Sequence, residues 1–161
     1  MALRAGPAGF GLVCFAAMRL LPAAYAAEPV TVRDANLVPY VIVGNAIPKS
    51  LTGAAGNPEE GAKIIVDRRL GNCMSCHAVG MPKEPFPGNL GPDLAGVGNR
   101  LSPGELRLRL VDPKRVNDAT SMPAYYKIDG LDRVAAQYIG KPILTAAQIE
   151  DVIAYLMTLR N

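Results

Sequence analysis

Apolar residues recur with helical spacing in three stretches of the chain. The strongest lies near the C-terminus, where Ile149, Val152, Ile153, Leu156 and Met157 fall at i, i+3, i+4, i+7 and i+8 and share one helix face. Thr145 with Gln148 opens that helix, since a hydroxyl can accept from a first-turn N–H while the amide reaches back. A second stretch carries Leu106, Leu110 and Val111 behind Ser102, Pro103 and Glu105, and stops at Asp112-Pro113. A third opens at Asn57 with Pro58 and Glu60, places Ile64 and Ile65 on one side with Gly61, and runs toward Leu70 until Gly71 ends it. Between these helices, residues 81–100 and 113–142 are rich in Gly and Pro and read as loops. Residues 27–56 show no helical period; the apolar run Val38–Val43 is expected to lie as a strap on the core. Two loops this long in one small domain need something to pack against, and a large apolar cofactor would serve.

The N-terminal stretch has the layout of an export signal. Arg4 supplies a short positive region, Ala8–Met18 an apolar one, and Ala24-Tyr25-Ala26 the small residues of a cleavage site. Arg19 interrupts the apolar stretch, and the residues around Cys14 do not fit a lipoprotein signal. Residues 1–26 are therefore expected to be a cleaved signal peptide, residues 27–56 an N-terminal extension and residues 57–161 the functional domain, exported to the periplasm. No apolar run reaches the roughly 18 residues of a membrane span.

Composition narrows the classes further. Half the residues are apolar, which excludes a disordered charged tail. The formal charge of +3 is small and scattered, and gives no nucleic-acid footprint. Loss of residues 1–26 removes Arg4 and Arg19 but no acid, leaving 15 basic against 14 acidic residues. It also removes Cys14, so the mature chain keeps Cys73 and Cys76 as its cysteines. That pair is too close and too few for a disulfide framework, and a single His excludes a zinc finger.

Cys73-Met74-Ser75-Cys76-His77 is C-x-x-C-H, the attachment pattern for c-type haem. Two thiols about one helical turn apart can add to the two vinyl groups on one porphyrin edge. The following His is then carried beneath the ring, where an imidazole nitrogen reaches the iron. A redox dithiol would need a βαβ context that is absent. A disulfide between positions i and i+3, with a surface His, would leave the loops without a filler.

The sixth position of the iron needs a second ligand, or stays open. His77 is the sole His, so a second imidazole is impossible within the chain. Met74 lies inside the attachment loop, Met81 follows His77 too closely, and Met157 belongs to the apolar stripe of the last helix. Met122 sits in a loop before Pro123 with enough chain to reach the opposite face, and is the candidate ligand, the alternative being a gap-filling core residue. Thioether ligation raises the reduction potential and closes the iron to small ligands, which points to electron transfer. Pro92, in Asn89-Leu90-Gly91-Pro92-Asp93-Leu94, offers a carbonyl to the other nitrogen of His77. Leu94 could pack on the ring. Arg100 either pairs with a haem propionate or is simply exposed. Tyr125, Tyr126 and Lys127 either form a partner-facing surface or wall the haem. No residue is a candidate for substrate catalysis.

The series of helix, C-x-x-C-H, G-P-x-L-x-G, Met-Pro loop and terminal amphipathic helix resembles class I cytochrome c over residues 57–161. The resemblance implies an all-α fold whose long loops wrap one covalently attached haem c held between His77 and Met122. In it the first and last helices cross, with Gly61 against the Tyr155-Leu156 region. Gly71-Asn72-Cys73, Gly91-Pro92-Asp93-Leu94, the run from Leu101 to Arg109, Val111-Asp112-Pro113, Met122-Pro123-Ala124-Tyr125-Tyr126, Gly140 to Thr145 and Glu150 to Leu156 are similar to the SoxX family of sulfur-oxidation cytochromes. That resemblance implies an electron-accepting subunit of the periplasmic SoxAX complex, an L-cysteine S-thiosulfotransferase type of enzyme. Its implied partners are a SoxA-type cytochrome subunit bearing the substrate chemistry, the carrier SoxYZ, whose cysteine is joined to thiosulfate, and a small soluble cytochrome that collects the electrons. A free-standing periplasmic monohaem carrier is the alternative, and a ligand-binding haem with an open sixth position a third.

Overall fold

The three capped helices form where the sequence places them. In the computed structural model, which describes Met1 and residues 29–30, 37–80 and 86–160, they are α1 (Pro58–Val66), α3 (Pro103–Val111) and α4 (Ala146–Thr158), with a single-turn helix α2 (Val97–Arg100) before α3. The expected signal peptide and Met81 lie outside the described residues. Asn57 Oδ1 accepts from the N–H groups of Glu59 and Glu60 at 2.8 and 3.2 Å. Ser102 with Glu105, and Thr145 with Gln148, make reciprocal capping boxes. α1 stops at Val66, short of Leu70, because Asp67 turns to an extended conformation. The Asp67 carbonyl then accepts from the N–H groups of Leu70 and Asn72, a turn that delivers the chain to Cys73.

α1 and α4 pack together through their apolar stripes, burying Ile64 and Ile65 against Ile149, Val152, Ile153 and Leu156. Gly61 lets the backbones meet: a Cβ there would overlap the Asp151 carbonyl and press on Tyr155, so the closest approach lies one turn before the expected Tyr155-Leu156 region. α3 adds Leu106, Leu108, Leu110 and Val111. α2 falls inside what reads as a loop in the sequence; Gly96, in the left-handed region, opens it without a side-chain cap, and Gly98 N–H donates to the Leu159 carbonyl at 3.0 Å.

The segment before α1 is more deeply built in than a strap. Tyr40 is buried, but Val38, Val41 and Val43 are exposed, and the firmest anchors, Ile47 and Leu51, lie beyond the apolar run. A buried ion pair holds them. Arg107 donates to Glu150 through Nε and Nη2 at 2.7 and 2.8 Å, and through Nη1 to the Ile47 carbonyl at 2.6 Å. Glu150 in turn accepts from the Leu51 N–H at 2.8 Å. The strand content among the described residues is one two-residue antiparallel pair, β1 (Pro29–Val30) with β2 (Tyr40–Val41), Pro29 opposite Val41. None of the described helices is long and apolar enough to cross a membrane.

Candidate haem-binding site

The attachment motif occupies a single 3₁₀ turn, Cys73–Ser75, entered through Asn72 in the left-handed region. A 3₁₀ turn brings positions i and i+3 into line. The N–H groups of Cys76 and His77 both donate to the Cys73 carbonyl, at 3.1 and 2.9 Å, which fixes the two sulfurs one turn apart with the imidazole directly after them. Both cysteines are free and half-buried. Burial pushes the Cys73 thiol up to about 11, partly offset by the nearby Tyr125 hydroxyl, so the unmodified chain keeps a neutral thiol at physiological pH.

A loop runs alongside the motif and sets the histidine. Gly88, Gly91 and Leu94 each donate a backbone N–H at 2.8 Å, to the carbonyls of Met74, Cys76 and Ala78. The Pro92 carbonyl lies 2.7 Å from His77 Nδ1, which fixes Nδ1 as the donor and leaves Nε2 as the nitrogen with a free lone pair. Gly91 lies flat against the imidazole, and any Cβ at this position would overlap the ring. Leu94 is half-buried and packs on the core. The Arg100 guanidinium, on the exposed side of α2, donates to the carbonyls of Asp93 (2.9 Å) and Ala95, bracing the loop that carries Pro92.

Met122 is half-buried in the loop between α3 and α4, packed against the core. It lines an open cavity of about 550 Å³ together with Pro113, Lys114, Tyr138, Lys141 and Ile143. Cys73, Cys76 and His77 do not reach this cavity. The aromatic pair after Met122 settles one of the alternatives left open by the sequence. Tyr125 and Tyr126 are 7% and 1% exposed, so they are buried and not a partner-facing surface. Tyr125 donates its hydroxyl to the Gly71 carbonyl at 2.7 Å, and Tyr126 accepts from the Val38 N–H at 2.8 Å. Lys127 pairs with Asp112 at 2.7 Å.

The donor set fits haem c. Two free thiols stand one turn apart beside an imidazole whose Nδ1 is engaged by the Pro92 carbonyl, which leaves Nε2 for a metal, and no group of three or more metal-binding side chains exists among the described residues to suit a bare ion. The protein-family model described as cytochrome c matches residues 58–160. The chain belongs to the cytochrome c family. It is also similar to a chain in the crystal structure of SoxXA from P. pantotrophus, at 45% identity and a TM-score of 0.70, covering 76% of this chain and 95% of that one. No curated protein matches it. These likenesses support a SoxX-type cytochrome with the all-α class I fold, an electron-transfer domain and one covalently bound haem c.

Two features of the site were not visible in the sequence. Gly91 begins the Gly91-Pro92-Asp93-Leu94 run, but nothing in that run says that it faces the imidazole. The hydroxyl of Tyr125 reaches back 54 residues to Gly71, and no local pattern reports such a contact.

Proposed function

We propose that the chain is the monohaem electron-accepting subunit of a periplasmic SoxAX-type complex. The observation that carries the reading is the 45% identity to a SoxXA chain over nearly all of that chain's length, joined to a site built for one haem. In this reading residues 1–26 are removed on export, residues 27–56 extend the domain, and residues 57–161 hold the haem. Cys73 and Cys76 would attach the haem covalently, and His77 Nε2 and the Met122 sulfur would hold its iron. The bound haem supplies a one-electron centre at raised potential.

The chain's own residues hold that centre in place. The Pro92 carbonyl keeps the His77 proton on Nδ1, Gly91 leaves room for the ring to lie flat, and Arg100 braces the loop behind both. The substrate chemistry belongs to a SoxA-type partner, because both cysteines of the mature chain are taken up by the haem. Joining thiosulfate to a carrier (SoxYZ) cysteine thiol forms one S–S bond and releases one proton and two electrons. A single one-electron centre held by this chain would take these one at a time, with a small soluble cytochrome as the oxidant between them.

Rapid-mixing spectroscopy tests this reading. The oxidised complex is mixed with thiosulfate and reduced carrier, and the α-band of this haem is followed. Reduction that requires both reagents and the partner subunit is expected. A haem that stays oxidised under those conditions, while dithionite reduces it fully, overturns the assignment.

A further inference from the structure

Tyr125 joins the two sides of the haem site. Its ring is buried three residues after Met122, and its hydroxyl donates at 2.7 Å to the carbonyl of Gly71, two residues before Cys73. Its backbone is pinned as well: the Tyr125 N–H donates to the Leu110 carbonyl in the last turn of α3 at 2.8 Å, and its carbonyl accepts from the Leu144 N–H at 3.0 Å. The downstream end of the Met122 loop is therefore fixed to α3, to the segment leading into α4 and, through the phenol alone, to the haem-attachment turn.

We propose that Tyr125 is a positioning residue that keeps the Met122 sulfur on the iron by tying the Met122 loop to the Gly71-Cys73 turn. The inference rests on the reading that Met122 is the axial ligand. A neutral thioether favours ferrous iron and holds ferric iron weakly. In the ferric protein the balance between bound and detached Met122 then depends on how tightly the loop is restrained. The Tyr125 hydroxyl is a buried donor on a buried carbonyl, and its removal orphans that carbonyl only while the loop is closed. The closed state loses more than the open state, and the population shifts toward open.

The test titrates imidazole into the ferric holoprotein, since imidazole takes the sixth position only when Met122 has left it. Tyr125→Phe is expected to keep its covalent haem and bind imidazole about tenfold more tightly than the wild type, with a lower reduction potential. Tyr155→Phe serves as control, because its side chain packs where α4 meets Gly61 of α1, away from the Met122 cavity, and should leave imidazole affinity within twofold. If Met122→Ala binds imidazole more tightly and Tyr125→Phe does not, Tyr125 has no positioning role while the ligand reading stands. If Met122→Ala leaves the affinity unchanged, the ligand reading and this inference fall together. Should Tyr125→Phe not mature, the wild type gives the answer by NMR. The Tyr125 hydroxyl proton should be protected from solvent exchange in the free ferric protein and lose that protection as imidazole is added. Protection that persists to saturation overturns the proposal.

Discussion

Removing Glu150 tests how the segment before α1 is held to the core. Glu150 and Arg107 are 4% exposed each, and they bond to one another through two N–H···O contacts. Glu150→Ala leaves a guanidinium buried without its counter-charge and takes the acceptor from the Leu51 N–H. Loss of one partner of a buried pair costs about 3–5 kcal/mol, a large share of the ~5–15 kcal/mol that holds a domain folded. Guanidinium unfolding of the haem-loaded protein, followed by far-ultraviolet circular dichroism, should show the midpoint falling by about 1 M. Arg107→Met should lose a similar amount. The double variant Arg107→Met/Glu150→Leu buries no charge, and its remaining cost is two backbone groups without partners, the Ile47 carbonyl and the Leu51 N–H, at about 1–3 kcal/mol each. It should therefore be about as stable as either single variant. A double variant that loses the full total of the two single losses would refute the reasoning, because it would mean that the pair is not energetically coupled.

Further outcomes follow from the same geometry. Gly91→Ala must push the His77 ring or the loop aside, so haem incorporation should fall and the iron–imidazole vibration in the ferrous resonance Raman spectrum should shift; an unchanged spectrum at full loading would show that the ring tolerates a Cβ. Cys73→Ser or Cys76→Ser leaves one thioether at most, and haem staining after denaturing electrophoresis should weaken sharply. Burial and then the Asp112 charge raise the Tyr40 hydroxyl to about 12 from its ordinary value of 10.0, so the folded chain holds that proton while the unfolded chain releases it. Stability from this group is complete below pH 10 and declines by about 2–3 kcal/mol as pH rises to about 12. Tm measured across that range should fall less steeply in Tyr40→Phe than in the wild type.

What the sequence disclosed was local chemistry. Asn57, Ser102 and Thr145 each cap a helix through bonds spanning two or three residues, and those signals survive without tertiary context. C-x-x-C-H belongs to the same kind: a short spacing that chemistry itself dictates. Contacts between distant parts of the chain were not legible. Arg107 is buried on α3, and its partner is 43 residues away. Ile47 and Leu51 sit in a segment with no period, where burial follows from α3 and α4 and leaves no pattern of its own. The sequence carries α1 toward Leu70; the turn at Asp67, closed by backbone bonds from Leu70 and Asn72, ends it at Val66 instead. The aromatic pair after Met122 could face outward or inward on sequence alone, and only the Gly71 and Val38 contacts decide.

The central claim is that this cytochrome works as the haem subunit of a two-cytochrome sulfur-oxidising enzyme. The most direct test is to purify the tagged chain from its own cells grown on thiosulfate and identify what elutes with it in stoichiometric amount. A second cytochrome subunit at one to one is expected. A lone monohaem protein, reduced and reoxidised rapidly with no partner, would contradict it and make the chain a free electron carrier.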